Sequence, residues 1–355
     1  MIKDILGKLV SFNTVADKEN KEIMDYAEGF FGERGFRTER IHSDKTDKDV
    51  LIATYGEDPV LGFLGHTDVI AIADGWETDP FTMVEKDGFY YGLGTCDMKG
   101  GIACFMEAID RTDLSNLKKG LQVYLTYDEE VLFNGIEDLL ARNTVFPPHM
   151  VVAEPTNLIP STGSKGLIEC RMNFYGETTH SSVPIEGKNS NKNAVIFLNK
   201  MLEFEKKLQE TKYPFFDVPE TTMNVGVIDG GVCSNQVPSH TSVILDFRIC
   251  DSESQYDAIR KALDEALEGL DADYTFTIDI PSFISEGGLG KVLEEKTGNK
   301  SKPFSGVSEA SYMTVDRAVF GPGPMTMHEK NEHVSIEHLE KTEQIFEELI
   351  QLYCM

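Results

Sequence analysis

Four acidic segments and one strand-end histidine carry the residue types that bind cations and move protons. The run Leu61-Gly62-Phe63-Leu64-Gly65-His66-Thr67-Asp68 ends in an imidazole and a carboxylate two residues apart. Extended chain puts such residues on one side, so Asp68 can orient the His66 ring and raise its basicity, as outer carboxylates do for metal-bound histidine. A strand-end pair in a plain loop reads the same way. In Tyr91-Gly-Leu-Gly-Thr-Cys-Asp97-Met-Lys-Gly-Gly101, glycines on both sides of Asp97 let the backbone turn sharply and approach a neighbour closely. Asp97 reads equally as the cap of a helix opening near Lys99. Tyr127-Asp128-Glu129-Glu130 sets carboxylates side by side, which repel unless a cation or a shared proton compensates. Neighbours on extended chain point in opposite directions, so one can bind metal while the other faces substrate; a paired Glu in an acidic chain also reads as solvated surface. Met150-Val-Val-Ala-Glu154-Pro155 adds a carboxylate at a strand that proline stops. Jointly, His66, Asp97, Glu130 and Glu154 are N/O donors at the ends of four successive sheet-like runs, on one rim if the strands are parallel. Imidazole and carboxylate without thiolate suit a zinc ion, or two zinc ions bridged by one acid.

The elements that must position them alternate between helix and strand. Ile23, Ala27, Phe30 and Phe31 at helical spacing predict a helix within Asp17–Phe36, closed by Gly35. Val50–Tyr55 and Val60–Leu64, separated by Gly56-Glu57-Asp58-Pro59, predict a hairpin or adjacent strands. A helix from Lys99 to about Asp110, a strand at Leu121–Thr126, a helix at Asn134–Ala141 and a strand at His149–Ala153 follow. This alternation predicts an α/β fold, a mixed sheet covered by helices. From Gly166 the pattern changes to strands at Leu167–Tyr175, Thr221–Ile228, Thr241–Ile249 and Tyr274–Ile280, with two amphipathic helices between them. That α+β unit of roughly 115 residues is the size of a small domain. Beyond Ser285 helix–strand signals return. The simplest organisation is one α/β domain (1–165 and 284–355) interrupted by a smaller one (166–283).

Composition narrows the partners. In 355 residues, 33 Lys and Arg face 60 Asp and Glu, a formal net charge of −27. Such an excess repels phosphate backbones and anionic lipid, which disfavours nucleic acid and membrane surfaces as partners. No apolar run approaches the ~18–20 residues of a membrane span, and the first residues show no leader-like apolar core. Six cysteines without a C-x-x-C pair read as reduced thiols of a cytoplasmic protein. His42, His149, His240 and His338 show no partner pattern and read as surface or turn residues.

The series His66-x-Asp68, Trp76-x-x-Asp79-Pro80-Phe81, Gly94-x-x-Asp97-Met98-Lys99-Gly100-Gly101, Asp128-Glu129-Glu130 and Glu154-Pro155-Thr156 resembles the acetylornithine deacetylase/succinyl-diaminopimelate desuccinylase family of co-catalytic zinc metallopeptidases. The resemblance continues through Thr179-His180-Ser-Ser-x-Pro184, Gly230-Gly231-x-x-x-Asn235-x-x-Pro238, Asp246-x-Arg248 and Gly321-Pro-Gly-Pro-x-x-x-His328-x-x-Asn331-Glu332, and so spans essentially the whole chain. It implies a zinc-peptidase-like mixed sheet sandwiched by helices and interrupted by an α+β lid and dimerisation domain at 166–283. It also implies two zinc ions, with Co²⁺ or Mn²⁺ as substitutes: His66 and Glu154 on one, Glu130 and His328 on the other, Asp97 bridging. Asp68 would orient His66, Glu129 would be general base and acid, and a cis peptide would follow Asp97. His180 would stabilise the oxyanion from the lid, often that of the partner subunit, and Asn235 and Arg248 would bind the substrate carboxylate.

Three departures stand out. Leu93 replaces the usual arginine between the glycines, Cys96 sits beside the bridging acid, and Gly306-Val-Ser308-Glu309 occupies the place of a substrate loop. Lys165-Gly166 resembles the Lys-Gly of acetylornithine deacetylases. The implied function is hydrolysis of the amide of an N-acyl amino acid by a homodimer. A di- or tripeptidase whose substrate amine pairs with Glu309, a succinyl-diaminopimelate desuccinylase, and a catalytically silent relative are the alternatives; the intact Glu129 and five-ligand set oppose the last. A Rossmann dehydrogenase is not supported, since no G-x-G-x-x-G follows the first strand. His333 lies near His328, but Asn331-Glu332 follows His328 at the family spacing, so His333→Ala should leave the metal content of the purified protein, measured by elemental analysis, unchanged.

Overall fold

Four parallel strands form the centre of the main sheet: Gly120–Thr126, Pro59–His66, His149–Val152 and Asp316–Val319, adjacent in that order. The first three are short apolar runs buried along most of their length, as strands covered on both faces require. Asp49–Tyr55 and Arg37–His42 extend the sheet antiparallel on one side, and Ser161–Ser164 continues it beyond Asp316–Val319. The computed structural model describes residues 2–184 and 187–355; Met1, in the predicted first domain, and Ile185 and Glu186, in the predicted lid, lie outside the described residues.

The chain divides into two units, Met1–Gly163 with Ser285–Phe304 and Ser308–Met355, and Ser164–Ile284 with Ser305–Val307. In the first, the helices Lys99–Arg111 and Ile336–Cys354 lie side by side against Pro59–His66, while Lys21–Glu33 and Asn134–Ala141 lie against Asp49–Tyr55. Phe63 of the central strand contacts Phe105 and Phe346, at ring-centroid distances of 5.7 and 4.9 Å. Val84–Lys86, Phe89–Tyr91 and His333–Ser335 form a small separate sheet.

The predicted pairing of the first two apolar runs does not occur. Gly120–Thr126 lies between Asp49–Tyr55 and Pro59–His66, antiparallel to the first and parallel to the second. The turn that looked like a hairpin instead makes room for the third strand. A Cβ on Gly120 would lie 2.8 Å from the Glu57 carbonyl oxygen and 2.9 Å from the Pro59 nitrogen, so only glycine passes under that turn.

The second unit is a four-stranded antiparallel sheet in the order Thr222–Gly230, His240–Ile249, Gly166–Tyr175, Ala272–Ile280. Helices Ser190–Leu208 and Ser252–Leu267 pack together, and Met172, Phe174, Phe197, Phe247 and Leu263 are buried in a core of the unit's own. The side chains of Asn189 and Asp251 accept the N–H groups of Lys192 and Ser254 at the two helix starts, satisfying donors that a helix leaves unpaired.

Close approach of helix to sheet beneath the rim sets a test. A Cβ on Gly101 would meet the Ala153 carbonyl oxygen at 1.9 Å, whereas one on Gly29 meets nothing within 4 Å. Gly101→Ala should cost about 1–3 kcal/mol by overpacking and lower the thermal midpoint. Gly29→Ala, within the helix Lys21–Glu33, should raise that midpoint by adding about 0.5–1 kcal/mol of helix preference.

Candidate metal centre

The strand register places the first donors. His66 ends its strand opposite Thr126, and Leu64 stands opposite Val152, so Glu154 reaches the level of His66 on the next strand. Glu129 and Glu130 follow Thr126 on the other side. Asp97 lies just before the helix Lys99–Arg111, where that helix was expected to open, but in a turn and not at the end of a main-sheet strand; the strand before it, Phe89–Tyr91, belongs to the small sheet. The glycines that marked it permit that turn, with Gly94 at φ +81°. The peptide bond Asp97–Met98 is cis. Asp97 caps no helix with its side chain, since Met98 takes the cap position without a side-chain bond.

All five predicted ligands converge, with Glu129 among them. His66 Nε2 lies 3.2 Å from Asp97 Oδ1, 3.8 Å from Glu154 Oε1 and 4.0 Å from Glu129 Oε2. His328 Nε2 lies 2.9 Å from Glu130 Oε2 and 3.8 Å from Asp97 Oδ2, so the two oxygens of Asp97 face the two imidazoles. Ligand atoms of His66, Asp97 and Glu130, and of His66, Glu129 and Glu154, lie within 4.8 Å of one another. His66 Nδ1 donates to the Asp68 carbonyl at 3.1 Å, with the Asp68 carboxylate 3.5 Å away; both fix the ring with Nε2 facing the cluster.

The cluster is electrostatically unbalanced as it stands. Burial pushes the Glu129 and Glu154 carboxyls well above the ordinary range, with the Asp97 charge adding to it in both. Burial also raises Glu130. Burial would lower His66, but the charge of Glu154 and the bonds to Asp68 and Asp97 outweigh it and raise the ring well above its usual value. Among the described residues, the ion pairs of Asp97, Glu129, Glu130 and Glu154 are with His66 and His328 only. Glu154 Oε1 is buried without a hydrogen-bond partner. Orphaned carboxylate oxygen, absent lysine or arginine, and an N/O donor set fit bound divalent metal.

Neighbouring groups decline the role. Cys96 is buried, its Sγ is 3.2 Å from the Pro324 carbonyl, and burial pushes its thiol up. The His333 ring packs against Phe89 and Tyr91, with Nδ1 donating to the Asn331 carbonyl. His149 starts the central strand expected at His149–Ala153, but it is not without a partner: it pairs with Asp316 at 3.1 Å and packs on Tyr353.

Two supporting roles escaped the sequence reading. The Asp68 carboxylate accepts the N–H groups of Glu129 and Glu130, at 3.3 and 3.2 Å. Glu332 is 2% exposed and accepts Gly94 N–H at 2.8 Å, Cys96 N–H at 2.7 Å and Asp97 N–H at 2.9 Å, holding the turn that presents Asp97. Its place directly after Asn331 in the His328 motif was the available signal.

The remaining predicted residues divide between the units. In the second, Ser182 N–H donates to His180 Nδ1 at 3.2 Å, which leaves the neutral ring's proton on Nε2. Asn235 lies on the segment paired with it, its carbonyl accepting Ser181 N–H. Arg248 holds Asp246 with Nε and Nη2, at 3.0 and 3.3 Å, and Lys165 Nζ donates to the Glu220 carbonyl. In the first, Ser308 and Glu309 are fully buried. The Ser308 hydroxyl has no partner among the described residues, and Glu309, pushed up to about 8 by burial, accepts from Thr126 Oγ1.

Comparison with known proteins adds three findings. A family model described as peptidase family M20/M25/M40 matches residues 62–352. The chain is 30% identical to an acetylornithine deacetylase of Photorhabdus laumondii, over 96% of its own length and 92% of that protein's. It superposes on a tripeptidase from Staphylococcus aureus with TM-score 0.80 at 20% identity, over 99% and 97% of the two chains, and on a dinuclear metal-binding peptidase from Bacillus subtilis with TM-score 0.71 at 13% identity, over 99% and 97%.

The Glu332 cradle predicts a graded loss. Glu332→Ala strands three buried N–H donors at about 1–3 kcal/mol each before relaxation, so the thermal midpoint should fall most there, less in Glu332→Gln, and metal content should fall in the same order. Wild-type stability and metal content in Glu332→Ala would remove this role.

Proposed function

This chain belongs to peptidase family M20/M25/M40, and on that premise we propose that it removes the acyl group from an N-acyl amino acid, using two zinc ions. Metal-dependent hydrolysis is the chemistry of the family. The observation that carries the finer reading is the two-sided placement of Asp97 between His66 and His328, with Glu129 free of their shortest bonds. The near full-length likeness to acetylornithine deacetylase supports the substrate class.

In this reading His66 and Glu154 would hold one ion and Glu130 and His328 the other, with Asp97 serving both. Bound there, zinc supplies Lewis acidity toward the scissile carbonyl and lowers the pKa of water toward neutrality. Glu129 takes the proton of the attacking water and returns it to the leaving amine. Asp68 keeps His66 oriented through Nδ1 and holds the Glu129–Glu130 backbone. His180 donates from Nε2 to the oxyanion, and such donors are worth about 2.7–4 kcal/mol of barrier. Arg248 offers a planar fork to the substrate carboxylate, exchanging Asp246 for it, with Asn235, Lys165 and Ser308 as further contacts.

Assembly as a homodimer through residues 166–283 belongs to the same proposal. Thr222–Gly230 is an edge strand with Val227 and Ile228 exposed, and the helix Ser190–Leu208 exposes Val195, Ile196 and Leu202. Apolar edges of this kind are normally covered. A cytoplasmic location is supported by six free cysteines. No described helix is long and apolar enough to cross a membrane.

N-acetylornithine, succinyl-diaminopimelate and dipeptides assayed side by side on the zinc-loaded protein should show the highest kcat/KM for the N-acetyl amino acid. A chelator should abolish turnover and zinc restore it. Glu129→Gln should keep its zinc and lose about 10²–10⁴-fold in kcat. A preference for dipeptides, or substantial turnover by the Gln variant, would overturn the respective assignment.

A further inference from the structure

Lys48 is a lysine only 8% exposed, placed just before the strand Asp49–Tyr55 and absent from every motif so far assigned. Its ammonium donates to the Asp128 carboxylate and to the Ala16 carbonyl. Asp128, 3% exposed, opens the segment that carries Glu129 and Glu130, and it stands in the left-handed region at φ +58°. That conformation is uncommon for a residue with a side chain, and here it is held from both ends. The Asp128 carboxylate also accepts from Asn134 Nδ2 at 2.9 Å. Its carbonyl accepts the N–H groups of Leu132 and Phe133, at 3.0 and 2.7 Å.

The other contact of Lys48 leads to the same place by a second route. Ala16 N–H donates to the Val69 carbonyl at 3.2 Å, and Val69 N–H to the Thr14 carbonyl at 3.0 Å. Val69 follows Asp68, whose carboxylate accepts the N–H groups of Glu129 and Glu130. The bonds therefore close a ring from Lys48 through Asp128 to Glu129 and Glu130, across to Asp68 and Val69, and back through Ala16. One buried cation ties together the two segments that supply His66 on one side and Glu129 with Glu130 on the other. It also commits the first carboxylate of Asp128-Glu129-Glu130 elsewhere, so that only the next two face the cluster.

We propose that Lys48 is a positioning residue of the metal centre: by holding Asp128 and the Ala16 carbonyl it fixes the turn from which Glu129 and Glu130 project, and so sets the affinity of the site that Glu130 serves. This rests on the reading of Glu130 as a ligand.

Zinc affinity of the full-length protein, measured by competition with a chromogenic chelator, tests it without reference to any substrate. Lys48→Met should weaken the weaker-bound zinc about 10–100-fold, the loss typical of partners that orient metal ligands. Lys48→Arg, which keeps the charge but puts a larger planar group in place of a compact ammonium, should weaken it less than Lys48→Met. If Lys48 acts through Asp128, Lys48→Met combined with Asp128→Asn should be no worse than the worse single variant, as for residues acting as one unit. Leu349→Ala, in the C-terminal helix and buried, serves as a destabilised control that should bind zinc as wild type. Wild-type affinity in Lys48→Met beside a weakened Glu130→Gln overturns the proposal alone. Equal weakening in Leu349→Ala and Lys48→Met at matched loss of thermal midpoint overturns it as well. Wild-type affinity in Glu130→Gln overturns the ligand reading and this proposal with it.

Discussion

Four carboxylates gathered beside two imidazoles at one sheet rim repel one another and lose their hydration, and much of the first unit is arranged to hold them together regardless. Burial alone drives Glu129, Glu130 and Glu154 toward the protonated form. A structure that keeps such groups close must fix each by bonds stronger than the tendency to splay. The parallel centre of the sheet does the first part, because strands in parallel register end on the same edge and function gathers there in open α/β sheets. Main-chain N–H groups do the second. They carry partial positive charge without adding an ion, and Asp68 and Glu332 collect five of them from the two turns that present Glu129, Glu130 and Asp97.

This division between donor and holder explains why a second acid stands close to several of the donors along the chain. Asp68 beside His66, Asp128 beside Glu129, and Glu332 near His328 are not spare ligands. Each acts on backbone or on a lysine, leaving its neighbour to face the cluster. The small residues share the task. Gly65 and Gly101 let the helix Lys99–Arg111 approach so closely that a Cβ on either would lie within 3 Å of a neighbouring atom, Ile102 Cγ1 for the first and the Ala153 carbonyl oxygen for the second. The start of that helix is thereby fixed against the strand ends that deliver His66 and Glu154, with Asp97 just ahead of it.

What the sequence made legible follows the same physics. Runs such as Leu61–Gly65 and Met150–Ala153 announce buried strands, because both faces must be apolar, and the donors at their ends follow directly. Strand partners were not legible: the apolar pattern of Val50–Tyr55 says nothing about which strand lies beside it, and the inserted Gly120–Thr126 is betrayed only by a glycine. Arg37–His42, read as Arg-Thr-Glu-Arg-Ile-His, was missed as a strand because at a sheet edge one face is solvated and charged. The place of Asp97 just before the helix at Lys99 was legible, but its grouping with the strand ends was not sound, since a turn into a helix and a strand end both favour glycine next to an acid. The candidate donors could be named from residue type and motif, but the groups that hold them could not, because a carboxylate bound to main-chain N–H leaves no mark of its partner in the sequence.

The net charge of −27 takes on a sharper meaning beside the buried cations. Lys48 and Lys99 are the lysines enclosed in the interior among the described residues, and both lie close to the acid cluster without entering it. Lys48 is spent on Asp128. Lys99 Nζ donates to the Phe12 carbonyl at 3.0 Å, and burial lowers its pKa to about 7 against the raising charges of Glu332 and Asp68. A lysine placed among Asp97, Glu129, Glu130 and Glu154 would neutralise them permanently and occupy their lone pairs. With both buried cations bonded elsewhere, the cluster is left for a divalent ion to neutralise. Most of the remaining acidity lies on the surface, where it has no part in that requirement.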